Sequence, residues 1–202
     1  MKQVCNMNGV QKVLEFAEAC DGILFANEAA AKGISREYVR RAAESGLIES
    51  VVRGVYVTRD TIGDDAFILQ KRYPKAIFSH ETAGYYLGYT TRDPLVYSVT
   101  IPSAYNPTAL LKTGAKIYYA KEIEDTELVT VKTMFGRDIV CFNIEKTICD
   151  LCSARFDGDK DVALEIIKAY VRSKEKNIPK LMRCTMAEKT KETIRTYMEV
   201  LL

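Results

Sequence analysis

The first sixty residues change between helical and strand-like hydrophobic patterns. Apolar residues recur every three or four positions in three successive segments, which predicts three helices. Two short runs rich in valine follow and are separated by Arg53-Gly54, which predicts a β-hairpin. The predicted elements are residues 8–19, 27–31 and 36–45 as helices and residues 47–52 and 55–58 as strands. This order is typical of a winged helix-turn-helix domain.

Single residues mark the ends of these helices. Ser35 is a good N-cap for the third helix, because a serine hydroxyl accepts a backbone N–H that the helix leaves unpaired. Asn27 is expected to cap the second helix in the same way. Gly46 is expected to take the left-handed conformation that ends the third helix. The residues predicted to pack that helix into the core are Ile34, Val39, Ala42, Ala43 and Leu47.

The rest of the chain mixes both patterns. Helices are predicted at residues 64–72, 80–87 and 144–153, along an apolar stripe at 162–170, and from residue 177 to the C-terminus; Ser79 and Asn143 are expected N-caps. Strands are predicted at residues 95–101, 116–119, 129–134 and 138–142. The predicted fold class is α+β. An N-terminal winged helix-turn-helix domain, residues 1–60, precedes a mixed α/β C-terminal domain, residues 61–202, with a small sheet and several helices.

Overall charge argues against a general polyanion binder. The chain has 29 Lys+Arg against 27 Asp+Glu and a net charge of +2, with 48% hydrophobic residues. Such a composition is that of an ordinary globular protein, and a nucleic-acid interface would have to be local. The charge is uneven: residues 1–60 are neutral and residues 61–159 are slightly acidic, whereas residues 160–202 are basic.

Arginines concentrate around the third predicted helix and the hairpin. Every basic residue between positions 33 and 70 is an arginine, and the planar guanidinium suits both phosphate and the guanine edge. Arg36 and Arg40 share one face of the helix. The candidate DNA-binding residues are Ser35, Arg36, Arg40, Arg41, Arg53 and Arg59. Alternatively, these arginines form a solvated face, paired in part with Glu37 and Glu44, in a winged helix that contacts proteins.

No motif predicts catalysis, a metal or a cofactor. Asp or Glu is nowhere followed two residues later by Lys, as nuclease sites would require, and no phosphate-binding loop or nucleophile elbow is present. Cys149 and Cys152 have zinc-like spacing but lack a second pair, which favours small buried helix residues. For the cluster of Glu145, Lys146 and Asp150 we favour a structural role. His80, the only histidine, lacks a partner that would make it a catalyst.

The cysteine content and the length of the apolar runs indicate where in the cell the protein is expected to act. Six cysteines are too few for a disulfide scaffold in a chain of this size, and the first residues lack the apolar core of a signal peptide. Reduced thiols in the cytoplasm are therefore expected. Since no apolar run approaches the roughly 20 residues of a membrane span, no membrane association is expected either.

Two segments carry a family resemblance. Residues 25–35, which end in Gly-Ile-Ser, and residues 45–57, with Gly-Leu-Ile followed by Gly-Val-Tyr, resemble the N-terminal winged helix of AbiEi-type antitoxins. Residues 78–88, 99–102 and 145–150 are similar to motifs that follow in that family, in the same order. The resemblance spans residues 23 to 152.

The resemblance implies a bacterial transcriptional autoregulator that is the antitoxin of a type IV toxin-antitoxin, or abortive-infection, system. It implies binding to inverted repeats of double-stranded DNA in its own promoter. It also implies a C-terminal domain that counteracts a nucleotidyltransferase-like toxin without a stable complex. The basic residues 160–202 are then either a second nucleic-acid contact or a solvated helix pair. The alternatives are a protein-interaction adaptor that binds no DNA and, less favoured, a nuclease.

Overall fold

The chain folds as two compact units, Met1–Ile68 and Leu69–Leu202. The structure, a computed structural model, describes residues 2–184 and 187–201, with side chains described from residue 9 onward. Each unit combines helices with one sheet, so the fold is mixed α+β with two sheets. The two units divide within a helix at residues 68 and 69, after the predicted domain boundary at residues 60 and 61. That boundary stays a prediction.

The first unit has the three predicted helices and the predicted hairpin in the predicted order, with one further strand between the first two helices. It consists of α1 (Lys2–Ala19), β1 (Ile23–Phe25), α2 (Ala26–Ala31), α3 (Arg36–Glu44), β2 (Ile48–Val52), β3 (Val55–Thr58) and the start of α4 (Asp65–Arg72). The strands form an antiparallel sheet in the order β1-β3-β2. Strands β2 and β3 are joined at Arg53-Gly54, where Gly54 has a φ of 80°. β1 is a three-residue apolar segment for which the sequence pattern predicted no strand.

Strand β1 is buried on both faces. Leu24 of β1 packs in a cluster with residues of α1, α2 and α3, including Val13, Ala29 and Val39. Its neighbours Ile23 and Phe25 point the other way and join Val55, Val57 and Ile68 in a second cluster. Alternation along the strand therefore lets one short strand serve two apolar layers.

The core prediction for Leu47 was wrong. Ile48, which begins β2, is buried, whereas the Leu47 side chain is 37% exposed. Successive side chains of an extended chain point to opposite faces, so a buried Ile48 turns Leu47 toward solvent. Ile34, Val39 and Ala42 are buried as predicted, and Ala43 is partly buried against the same cluster.

Both helices that flank the α2–α3 turn end in the same way. Gly46, with a φ of 68°, donates its N–H to the carbonyl of Ala43 at 2.9 Å, and Leu47 donates to Ala42 at 2.9 Å. This bond pair is the Schellman motif, and it satisfies carbonyls that the helix leaves unpaired. α2 ends similarly at Gly33, whose φ is 78°. The expected left-handed conformation of Gly46 is therefore confirmed.

Asn27 is not the N-cap of α2, and that prediction was wrong. The helix begins at Ala26, and Phe25 at the cap position makes no side-chain bond. Instead, Ala26 N–H donates to the carbonyl of Gly54 at 2.9 Å. The neighbouring hairpin supplies the partner that a capping side chain would otherwise provide.

The second unit contains a five-stranded mixed sheet. Its strands are β4 (Ile77–Phe78), β5 (Ser98–Pro102), β6 (Lys116–Ala120), β7 (Leu128–Lys132) and β8 (Asp138–Phe142). They lie in the order β6-β5-β4-β8-β7. β5 pairs with β6, and β4 with β8, in parallel; β4 with β5, and β7 with β8, are antiparallel. The sequence pattern gave no sign of the two-residue β4, which is central to the sheet.

Helices of the second unit follow or flank this sheet. They are α5 (His80–Tyr86), α6 (Thr108–Leu111), α7 (Ile144–Leu151), α8 (Lys160–Arg172), α9 (Ile178–Arg183) and α10 (Glu188–Leu201), with a 3-10 turn at Asp125–Glu127. Asn143 caps α7 as predicted and accepts the Lys146 N–H at 3.0 Å. Ser79 precedes α5 but makes no cap bond. The single run predicted from residue 177 was wrong, because α9 and α10 are separate; residues 185 and 186 lie outside the described part.

The core of the second unit joins its C-terminal helices to α7. Ile148, Ile167, Leu181 and Ile194 come from four different helices and surround the fully buried Tyr170. α5 approaches α8 so closely that a Cβ at Gly84 would overlap the side chain of Ile166. The apolar residues of α8 are thus buried against other helices of the second unit.

Candidate nucleic-acid interface

Ser35 begins α3 and fixes its first turn. Its backbone is extended, with φ −64° and ψ 138°, and its hydroxyl accepts the N–H of Glu37 at 3.3 Å. This geometry is that of an N-cap, which confirms the predicted cap. The hydroxyl is therefore committed to the helix, although the residue is exposed.

We expect Ser35→Ala to destabilise the first unit. Loss of the cap leaves one N–H of the first turn without its protein partner, which costs about 1 kcal/mol in free energy of unfolding. Thermal unfolding of the full chain, followed by circular dichroism, measures this loss. Ser35→Asp is the matched control, because aspartate caps equally well and should retain stability.

α3 presents a polar face that its buried residues hold in place. Val39 and Ala42 are buried on the inner side of this nine-residue helix. Arg36 lies three residues before Val39, and Arg40 lies two residues before Ala42. Both arginines are exposed. A helix of this length spans about 13 Å, comparable to the width of the DNA major groove.

Glu37 binds two of the arginines on this face. Arg40 donates to both of its carboxylate oxygens, at 3.1 and 2.8 Å, and Arg41 Nε donates at 2.9 Å. Arg40 also bonds Glu44. The hydrogen bonds from Arg40, and then those from Arg41, lower the pKa of Glu37 to about 2. Arg40 and Arg41 are thus neutralised by neighbouring carboxylates, as the solvated-face alternative expected.

Arg36 and Arg53 differ from that pair. Within residues 9–184 and 187–201, neither guanidinium makes a hydrogen bond or an ion pair. Arg36 lies in the first turn of α3, and Arg53 lies at the exposed turn between β2 and β3. Both charges are therefore available to an external anion without loss of an internal contact.

Arg59 is bound within its own unit. Its Nε donates to the carbonyl of Gly46, and its guanidinium occupies the space that a side chain at Gly46 would need. This bond links the end of β3 to the turn that follows α3. The contact gives Arg59 a structural role that the sequence did not indicate.

The six predicted residues therefore fall into distinct groups. α3 brings Ser35, Arg36, Arg40 and Arg41 onto one short segment, whereas Arg53 and Arg59 lie at opposite ends of β3. Lys32, exposed in the turn before α3, is a further cation that the sequence reading left out of the candidate set. The available signal was its position beside Gly33, in the turn between two predicted helices.

Residues 145–150 of the second unit show the contacts of a structural cluster. Glu145 is buried and accepts hydrogen bonds from Lys180, at 2.9 Å, and from the Tyr170 hydroxyl. Lys146 and Asp150 form an ion pair at 2.9 Å along α7. These contacts agree with the structural role favoured from the sequence.

The described thiols and carboxylates are not clustered as metal ligands. The cysteines with described side chains are not joined in disulfides; they are Cys20, Cys141, Cys149, Cys152 and Cys184. In the described ranges, no group of three or more His, Cys, Asp or Glu side chains is placed to hold a metal ion. Over the same ranges, no helix has the length and apolar character needed to cross a bilayer.

A solved structure shares this fold. The chain is similar to that titled "Crystal structure of RV2827C protein from Mycobacterium tuberculosis", with a TM-score of 0.64 and 11% identity. The match covers 95% of this chain and 76% of the other. At that identity the likeness concerns the fold alone. No curated protein matches the sequence.

The sequence resemblance noted for the first unit has independent support. The matched segment runs from α1 to the end of β3 and includes the whole of α3 and the β2–β3 hairpin. It thus contains five of the six candidate residues and ends one position before Arg59. Residues 11–58 match the family described as "Transcriptional regulator, AbiEi antitoxin", which confirms the resemblance for this segment.

Proposed function

We propose that the first unit is a winged helix-turn-helix domain and that the protein is a DNA-binding transcriptional autoregulator. In this proposal α3 is the recognition helix and the β2–β3 hairpin is the wing. The observation that carries it is the exposed arginine face of α3, which lies inside the segment matched by a family of transcriptional regulators. A helix mounted on buried Val39 and Ala42 is rigid enough to present that face to a groove.

Arg36 makes the first contact in this mechanism. It lies at the N-terminal end of α3, the part of a recognition helix that reaches base edges, and it has no internal partner to give up. Arg40 and Arg41 exchange their bonds with Glu37 and Glu44 for bonds to phosphate. Exposed ion pairs contribute little because water and salt compete for them, so the exchange costs little.

Arg53 acts from the wing. The turn at Arg53-Gly54 places an unpaired guanidinium at the exposed end of the hairpin. In a winged helix docked through α3, that end lies along the DNA backbone or in the minor groove. Arg59 supports the interface indirectly by holding the turn after α3.

The same proposal covers the partners. The DNA is an inverted repeat of double-stranded operator in the protein's own promoter. Residues 61–202 form the antitoxin domain of a type IV, or abortive-infection, system, and they counteract a nucleotidyltransferase-like toxin without a stable complex. The protein acts in the bacterial cytoplasm by binding rather than catalysis, and needs no cofactor.

The decisive experiment measures operator binding as a function of salt. The full chain is titrated, by fluorescence anisotropy, onto DNA from upstream of its own gene and onto a scrambled duplex. We expect the protein to prefer the operator. The logarithm of the binding constant should fall linearly with the logarithm of the salt concentration, with a slope of about −0.9 per phosphate contact. Equal affinity for both duplexes, or no binding at low salt, would overturn the proposal.

We expect Glu37→Gln to strengthen DNA binding severalfold. The substitution removes a negative charge from the proposed interface and releases Arg40 and Arg41 from their carboxylate partner. Like-charge repulsion with phosphate disappears at the same time. Anisotropy titration at fixed salt measures the gain. Glu28→Gln on α2 is the control. Weaker binding by the α3 variant would contradict this placement of DNA.

A protein-contact role is the second candidate, and one observation favours it. Val51 and Val52 of β2, and Leu47 just before it, are each more than one third exposed, and β2 is an edge strand of the first sheet. Exposed apolar side chains beside an edge are typical of protein interfaces. An adaptor would bind no DNA, and it would lose its partner on Val51→Ser but not on Arg36→Ala.

A further inference from the structure

The second unit contains a cavity that the proposed DNA-binding and antitoxin functions do not use. It has a volume of about 500 Å³ and is lined by residues of α5, β5, β6, α7 and α10 and of the loops beside them. Small-molecule sites typically have volumes of ~300–1,000 Å³. The cavity therefore has room for a small metabolite.

His80 forms part of the cavity wall and is held rigidly. Its side chain is 4% exposed, and its ring stacks on Tyr118 with centroids 3.6 Å apart. The Phe156 ring is also nearly parallel to the His80 ring, with centroids 5.8 Å apart. Burial, together with the positive charges of Lys146 and Lys116, lowers the pKa of His80 to about 3, so the ring is neutral at pH 7.

His80 Nδ1 is engaged by a hydrogen bond inside the protein. Thr100 donates its hydroxyl to Ser79 Oγ at 2.9 Å, and Ser79 Oγ lies 2.9 Å from His80 Nδ1. When Ser79 donates its own proton to Nδ1, the ring proton lies on Nε2. Within the described residues Nε2 has no partner. In this tautomer Nε2–H is a donor from which a ligand oxygen can accept a hydrogen bond.

Positive charge surrounds the same cavity. Lys121, Arg155 and Lys189 line it, and among described side chains none of the three forms an ion pair. Lys146 also lines it and uses one of its three N–H donors for Asp150 at 2.9 Å, so two remain. Against these four cations the wall has two acids, Glu122 and Asp150. The cavity thus favours a ligand with negative charge.

We propose that this cavity binds a small phosphate-bearing molecule, whose phosphate oxygens accept hydrogen bonds from His80 Nε2–H and Lys146 and are neutralised by Lys121 and Arg155. A tetrahedral anion matches several N–H donors that converge from different elements. Tyr119, half-exposed on the wall, is a surface for the remainder of the molecule. This proposal is independent of DNA binding by the first unit.

The experiment uses the single histidine as its reporter. Because the chain has only one histidine, its imidazole nitrogens give unique NMR signals. The full chain is titrated with inorganic phosphate and, separately, with adenosine monophosphate at constant ionic strength. We expect a saturable shift of the Nε2 signal with a 1:1 calorimetric stoichiometry. If the nucleotide binds more tightly than phosphate, the organic part of the molecule contributes to binding. If the two affinities are equal, the phosphate group alone is recognised.

Charge variants distinguish binding in this cavity from general electrostatic attraction of an anion to the protein surface. Lys121→Gln with Arg155→Gln removes two exposed cations of the wall and should lower the affinity about tenfold. The matched control, Lys112→Gln with Lys174→Gln, removes two exposed cations elsewhere in the same unit and should leave it unchanged. An unshifted His80 signal with both probes at millimolar concentration, or an equal loss in the control, would overturn the proposal.

Discussion

Replacing Arg36, Arg40 and Arg41 together with alanine should abolish operator binding. Each lost contact to a base or phosphate typically costs ~1–3 kcal/mol, so the three together should reduce the affinity by about a thousandfold. The salt dependence should become shallower by roughly one unit for each phosphate contact removed. Anisotropy titration on the operator duplex at several salt concentrations measures both quantities.

The single variants should differ from one another. Arg36→Ala removes an unpaired cation and should cause the largest loss. Arg40→Ala also frees Glu37 and Glu44, so its effect combines a lost contact with added repulsion. Lys12→Ala, an exposed cation on α1, is the control with unchanged binding expected. Unchanged operator affinity of the triple variant at matched salt, with normal melting, would refute α3 as the recognition helix.

Tyr170→Ala should cause a large loss of stability in the second unit. The side chain is fully buried and is surrounded by residues of α7, α9 and α10. Truncation of a buried aromatic side chain leaves a cavity and typically costs ~3–5 kcal/mol. Its hydroxyl also accepts the N–H of Asn177 at 2.8 Å, at the start of α9. Denaturation by urea, followed by circular dichroism, measures the free energy of unfolding.

Tyr170→Phe isolates the hydroxyl. The ring and its packing remain, but the N–H of Asn177 loses its acceptor, which should cost about 1–3 kcal/mol. Val200→Ala on the exposed side of α10 is the control, and its effect should stay within roughly 0.5 kcal/mol. If Tyr170→Ala behaved like this control, the described core of the second unit would be incorrect.

Local patterns predicted much of the first unit because its elements depend on neighbouring residues. The cap at Ser35, the left-handed Gly46 and the buried stripe of α3 follow from side-chain chemistry within one or two turns. The motifs at residues 25–35 and 45–57 carried the family resemblance for the same reason. Predictions failed where a distant strand intervened. The hairpin carbonyl of Gly54, for example, replaced Asn27 as the partner of the first turn of α2.

The α+β class, the arginine-bearing helix and the hairpin could be predicted from the sequence, since periodicity and turn residues are local properties. Which arginines are available depends on the folded structure: Arg40 and Arg41 are paired, Arg36 and Arg53 are unpaired, and Arg59 is bound to Gly46. It alone also placed the two-residue β4 at the centre of a sheet and assembled His80 with Lys146, residues far apart in the chain, at one cavity. The physical reason is that pairing and burial depend on contacts between distant segments, which no local pattern of side chains encodes.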